Sequence, residues 1–164
     1  TRSYSVTGGQ TCALPIGSGP LAPGKGPVRT GATAILPHGG NLFKEKVQAG
    51  CFVLNGFGKS SGLHQIQELG TVETPIVLTN TLSVPRAAEA LGAYSCAQSP
   101  EIGIRTGTVN AVVGDINDGF LNDIQGRHVK EEDVLAALED ARAGLKAGRA
   151  PAEGNVGEIG RAHV

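Results

Sequence analysis

Methionine and tryptophan are missing altogether from this chain, and aromatic residues make up only 4% of it. Scarce aromatics and a formal net charge of -1 argue against a nucleic-acid surface, which needs a basic footprint or stacking platforms. No apolar run approaches the ~20 residues that a membrane helix requires, so no membrane partner is expected. The three cysteines, Cys12, Cys51 and Cys96, show neither CxxC nor metal-ligand spacing, and neither a disulfide framework nor a metal site is indicated. The histidines form no constellation either, and no cofactor is expected. A chain that begins at Thr1 and holds no methionine is read as an internal piece of a longer reading frame. Glycine, by contrast, is plentiful but not periodic, which excludes collagen and implies tight turns between short elements. The 164 residues suffice for one domain with a real core and are too few for two.

The two ends are expected to be foreign to the fold. Codons chosen for Thr11–Ile16 (TCALPI) give a DNA word whose reverse complement, shifted in frame, encodes Ile159–Val164. Both words resemble translated sequencing-adapter read-through. Residues 1–16 and 158–164 are therefore set aside as non-native tails, as construction scars would be, and residues 17–157 are read as a single incomplete domain.

Within that span, Gly17–Arg29 is Gly/Pro-rich loop. Its GKGPVRTG (Gly24–Gly31) lacks the full phosphate-loop spacing and no strand precedes it, so an extended approach to a strand is the better reading. Thr30–Pro37 predicts a short strand, and His38 a turn histidine. Phe43–Val47 predicts the approach to the next strand, and Gly50–Asn55 (GCFVLN) a strand buried on both faces, ending in the glycine turn NGFGKSSG. Leu63–Leu69 is ambiguous. Thr74–Thr81 (TPIVLTNT) predicts another buried strand with polar groups at its end. A helix follows, with Ser83 as N-cap, Pro85 in the first turn, and Ala87, Ala88, Leu91 and Tyr94 on its apolar face. The clearest helix is Lys130–Ala147, where Val134, Leu138, Ala141 and Leu145 recur at helical spacing behind the acids Glu131, Glu132 and Asp133.

Between the helices, Val109–Ile124 (VNAVVGDINDGFLNDI) holds the most chemistry. An apolar run stops at Gly114, and Asp115, Asn117, Asp118, Asn122 and Asp123 crowd the turn beyond it. Such residues supply turn geometry without any function. A buried strand delivering polar groups into a loop is also how a scaffold presents a site. Short apolar strands ending in polar turns, with helices between them, give an α/β or α+β fold in which Asn55, Thr79–Thr81 and Asp115–Asp118 share the C-terminal ends of strands.

The segments KGPVRTGATAILPHGGNLF, NGFGKSSG, TPIVLTNTLSV, VVGDINDGFLNDIQGRHV and PAEGNVG resemble the L-aminopeptidase/D-esterase family, which includes the β-peptidyl aminopeptidases. The resemblance runs in order through nearly all of Lys25–Gly157. It implies an αββα sandwich like that of N-terminal-nucleophile hydrolases with different connectivity, of which this chain would hold part. It also implies a precursor that cleaves itself before a serine or threonine, which then attacks the substrate carbonyl to give an acyl-enzyme. The parent would act on peptides or on amino-acid amides and esters, as a homo-oligomer of processed two-chain protomers, in the cytoplasm.

By position, Asp115 falls where the family usually has a Glu that pairs with the substrate amine, and is one methylene shorter. Asn117 falls where relatives place a Tyr or Asn near the scissile carbonyl, an oxyanion or substrate hydrogen bond. Asn80 and Asn55 are further candidates for the pocket. Asp118, Gly119, Asn122 and Asp123 match the family pattern but are read as turn chemistry, and His128 as structural. Family sequences continue past PAEGNVG into the nucleophile-bearing segment, whereas here Gly157 runs into EIGRAHV, so the nucleophile is absent and the chain alone is expected to be inactive. Two other readings remain: an acyltransferase of the ornithine acetyltransferase type on the same fold, and a non-catalytic ligand-binding domain.

Overall fold

A computed structural model of the protein describes residues 20–53, 56–120 and 122–148, and residues 7–13 as backbone. The described elements are β1 (Thr7–Ala13), β2 (Gly31–Leu36), β3 (Val47–Gln48), α1 (Leu63–Leu69), β4 (Thr71–Val72), β5 (Ile76–Asn80), α2 (Val84–Gln98), β6 (Val112–Ile116) and α3 (Glu131–Lys146). Four strands form one sheet in the order β1-β2-β5-β6, and β3 and β4 form a separate two-stranded ribbon. The β1–β2 and β2–β5 pairs are antiparallel. The β5–β6 pair is parallel, with Thr79 opposite Asp115 and Asn80 opposite Ile116. A parallel pair needs a long crossover, and α2 supplies it.

Alternation along the strands divides the sheet into two faces. Ala32, Ala34 and Leu36 of β2, Val77 of β5 and Val113 of β6 meet Ala87 and Leu91 of α2 and Val134, Leu138 and Ala141 of α3 in one fully buried cluster. Small residues on β2 let the helices approach closely. The other face is covered more thinly: Val112 packs with Ile66 of α1 and Val72 of β4, and Ile76 lies against them. This is the expected α/β class, one sheet with its helical layer and a partial cover on the reverse side.

The expected helix at the C-terminal side is present and ends one residue short at each boundary. Asp133 accepts the Lys130 N–H at 2.8 Å, so an acid in the first turn closes the N-terminus. Gly148, at φ 62°, terminates the helix in the left-handed region that glycine tolerates best. At α2 the expectation is corrected in part. Ser83 occupies the N-cap position as expected but makes no side-chain cap bond, while Asn80 caps the 3-10 turn Thr81–Ser83 that leads into the helix, its Oδ1 accepting the Ser83 N–H at 3.1 Å.

Two further expectations differ from the structure. The described part of the expected strand Gly50–Asn55 is not a buried strand: residues 50–53 are irregular, Phe52 is 85% exposed, and residues 54 and 55 lie outside the described residues. A strand needs a partner edge as well as apolar residues, and the ribbon ends once Ala49 donates to the Gly70 carbonyl. The side of β6 away from β5 is met by Ser61, which exchanges backbone bonds with Val113 at 2.8 and 3.2 Å. Residues 7–13, set aside as part of a tail, run along β2 as the edge strand β1. An open edge pairs through backbone groups, which any extended segment can offer whatever its side chains.

Candidate functional site

Asp115 sits where β6 leaves the sheet, half-buried and held by two hydroxyls. Ser60 Oγ donates to its Oδ1 at 2.8 Å, and Thr81 Oγ1 donates to its Oδ2 at 3.2 Å. Its backbone N–H donates in turn to Ser60 Oγ at 3.3 Å. The backbone explains both contacts. The Ser61–Val113 exchange lays the 58–61 loop beside β6, which carries Ser60 to Asp115. The parallel register sets Thr79 opposite Asp115, and the 3-10 turn that begins at Thr81 curls back over the strand end. Among the described residues no cation pairs with Asp115. Lys59, the nearest cation in sequence on the loop, is folded back over the Phe57 ring and donates to the Phe57 carbonyl.

Asn117 is exposed, and its Oδ1 accepts the Gly119 N–H at 3.1 Å in an Asx turn. That bond uses the acceptor end of the amide and leaves the N–H end to a ligand. Asn80 is brought to the same end of the sheet, but it is only 2% exposed and both ends of its amide are engaged. Oδ1 caps the 3-10 turn, while Nδ2 donates to Thr30 Oγ1 at 2.9 Å. Asn80 thus shapes the strand end from behind. Asn55 lies outside the described residues, as does the PAEGNVG segment.

The remaining carboxylates of this stretch are built inward. Asp118 hydrogen-bonds to Thr30 and, at 3.4 Å, to Asn122 Nδ2. Burial pushes its carboxyl above the ordinary aspartate value, and the bonds from Thr30 and Asn122 offset only part of that. Asn122 and Asp123 clasp the segment that precedes β2. Asn122 Oδ1 accepts the Arg29 N–H at 3.0 Å, and Asp123 Oδ2 accepts the Gly26 N–H at 3.1 Å. These amides of the glycine-rich GKGPVRTG stretch are therefore committed to the clasp, which removes the phosphate-loop alternative. Asp123 also accepts the Gly126 N–H at 3.2 Å and faces His128 Nε2 at 2.8 Å. The His128 bond, with the backbone N–H donors, holds its carboxyl below the ordinary range despite burial. His128 is structural, as expected.

A second buried acid, Glu73, follows the same pattern away from the rim. Burial alone would raise its carboxyl, but Lys46, the Asn110 N–H at 2.9 Å and Gln65 together hold it below the ordinary value. It lines a cleft with Leu36, Asn41, Tyr94, Gln98 and Arg142. That cleft lies at the N-terminal end of β5, the opposite end of the sheet from Asp115, and contains none of the candidate site residues. The chemistry gathers at a shallow rim instead. Among the described residues no group of three or more His, Cys, Asp or Glu side chains could hold a metal ion.

Ser60 is the site residue that sequence reasoning missed, whereas Thr81 is expected among the polar strand ends beside Asp115 but without a role. Thr81 is visible there only as one of several polar groups at a strand end, and Ser60 only as part of NGFGKSSG. Nothing in the linear order pairs either with Asp115.

Residues 12–161 match the model of peptidase family S58. The chain is 38% identical over 145 residues to a β-peptidyl aminopeptidase, BapA, of Sphingosinicella microcystinivorans, covering 88% of this chain and 34% of that protein. It is similar to the PH0078 protein of Pyrococcus horikoshii OT3, with 54% identity, a TM-score of 0.80, and coverage of 84% of this chain and 39% of the other. It is also similar to the L-aminopeptidase D-Ala-esterase/amidase of Ochrobactrum anthropi, described as a variant of the Ntn hydrolase fold, with 31% identity, a TM-score of 0.65, and coverage of 82% and 37%. The fold is of that Ntn-like aminopeptidase type, and the chain spans about a third of the length of the curated relative it matches. With the family model matched over most of its length, the chain belongs to peptidase family S58.

Proposed function

We propose that the parent protein acts on peptides, amides or esters that carry a free amino terminus, and that Asp115 receives that amine as an ammonium ion. The observation that carries the reading is the contrast in partners. Asp123 faces a histidine and Glu73 a lysine, whereas Asp115 has only neutral hydroxyl donors among the described residues. A carboxylate that is fixed but not neutralised attracts a cation, and a charge-assisted bond to an ammonium group is stronger than either hydroxyl bond. An acid that demands a cationic terminus also explains action at chain ends rather than within chains. Asn117, exposed at the same rim, is placed in this reading to offer its side-chain N–H to the substrate carbonyl.

The reading includes a serine-type nucleophile contributed by polypeptide outside the third of the relatives' length that this chain matches. It follows that this chain alone binds amines without hydrolysing their acyl bonds. Two measurements test the proposal. Titration with L-alaninamide, followed through backbone amide resonances of β6, is expected to show binding that Asp115→Asn weakens at least about tenfold, the worth of a hydrogen bond to a charged group. Incubation with an aminoacyl nitroanilide is expected to release no nitroaniline. Equal binding by Asp115→Asn would overturn the amine assignment, and turnover by this chain would overturn its inactivity.

A further inference from the structure

We infer that Ser60 and Thr81 are positioning residues that fix the two oxygens of the Asp115 carboxylate, so that an ammonium group meets an acceptor already oriented. This rests on the amine reading above and adds to it the residues that set the geometry. An aspartate at the end of a strand can rotate about two side-chain bonds, and a ligand that must first order it loses affinity. Here each oxygen carries one hydroxyl donor, at 2.8 Å from Ser60 and 3.2 Å from Thr81. The two donors come from different elements, the 58–61 loop and the turn after β5, so the carboxylate is braced from two sides.

Both donors are themselves fixed by backbone. Ser60 adjoins Ser61, which exchanges two hydrogen bonds with Val113, and Ser60 Oγ also accepts the Asp115 N–H. Thr81 opens the 3-10 turn that Asn80 caps. The loop passes so close that a side-chain carbon at Gly58 would lie 3.3 Å from Asp115 Oδ1. That glycine leaves room on Oδ1 beyond the Ser60 bond. An ionised carboxylate has about four acceptor sites, so one hydroxyl on each oxygen orients the group and still leaves acceptor capacity for an incoming N–H. Because the donors are neutral, orientation comes without loss of the charge that attracts the amine.

The test uses the full chain and L-alaninamide, with N-acetylalaninamide as a probe that lacks the ammonium charge. Thr81→Val, nearly isosteric, and Ser60→Ala are each expected to weaken L-alaninamide binding about threefold to tenfold, because the ligand must then order a carboxylate that has lost one of its two braces. Thr81→Ser, which keeps the hydroxyl, is expected to restore it, and the acetylated probe is expected to bind none of the variants detectably. Unfolding midpoints measured alongside separate this from a packing role, which would track stability and would favour valine, which keeps the methyl, over serine at position 81. Should Ser60→Ala fail to fold, the Thr81 pair decides alone. Unchanged affinity in Thr81→Val, with binding still dependent on Asp115, would overturn the positioning role and leave the amine reading standing. Binding that does not depend on Asp115 would overturn both.

Discussion

Asp115 and Asp123 leave the same strand-and-turn stretch, and the fold treats them in opposite ways. Asp123 is buried, takes backbone N–H bonds from both Gly26 and Gly126 and faces His128, and so ties the turn after β6 to the segment before β2. Asp115 is half-buried at the rim, takes two side-chain hydroxyls and has no cation beside it among the described residues. Acidic character alone is therefore not the sign of a site. An acid whose lone pairs are consumed by the fold is a fastening, and an acid that is oriented but not neutralised is available to a ligand. Asp118 stands between them, drawn inward with neutral partners, so burial raises its carboxyl.

The contrast can be broken most severely at Asp123. Asp123→Ala is expected to give the largest fall in urea midpoint, because the Gly26 and Gly126 N–H groups and His128 lose their acceptor together. The same fastening has a pH signature. Its carboxyl, like that of Glu73, is held below the ordinary value in the folded state, so both contribute stability that is present above that value. That stability is lost as pH falls through the depressed folded pKa values, and midpoints recorded downward from about pH 5 are expected to drop more steeply for the parent than for Asp123→Ala.

Gly62→Ala should come next. Gly62 has φ 79°, and an added carbon would lie 2.4 Å from the Ala111 carbonyl oxygen. Left-handed strain and the backbone clash together are expected to cost about 2 kcal/mol or more in denaturant unfolding. The change should also pull the 58–61 loop off β6 and weaken amine binding through Ser60.

Asp118→Asn sharpens the contrast by its sign. A raised carboxyl destabilises the fold once pH rises through the ordinary value toward the raised one, so the amide variant is expected to be at least as stable as the parent at about pH 7. The advantage should vanish in acid, where Asp118 is protonated in both states. The smallest change in stability is expected for Asp115→Asn, within about 0.5 kcal/mol of the parent, because both hydroxyls can re-pair with the amide. Its effect should fall on ligand binding instead. Midpoints for the four variants, measured side by side, check the ranking.

How much of this was legible in the sequence depends on how far apart the interacting residues lie. The apolar runs of β2, β5 and β6 and the stripe of α3 are local patterns, and they mark those elements to within a few residues. GCFVLN carries the same apolar signal as β5, yet Phe52 is exposed, because a strand exists only where an edge is open to it. The edge strand β1 arises for the converse reason, an edge that accepts backbone whatever side chains come with it. Asp115 stands out through family resemblance, while Ser60 and Thr81 do not, since their contacts with it span 55 and 34 residues. Asn80 is placed correctly at the strand end, but its capping of the next turn depends on a rotamer that composition does not announce.

The most direct measurement is a crystal structure of this chain soaked with L-alaninamide. The expected result is an ammonium nitrogen about 2.8 Å from an Asp115 carboxylate oxygen, with the Ser60 and Thr81 bonds retained. A ligand whose ammonium group faces solvent at that rim, or that occupies the Tyr94 and Arg142 cleft instead, would contradict the assignment of Asp115.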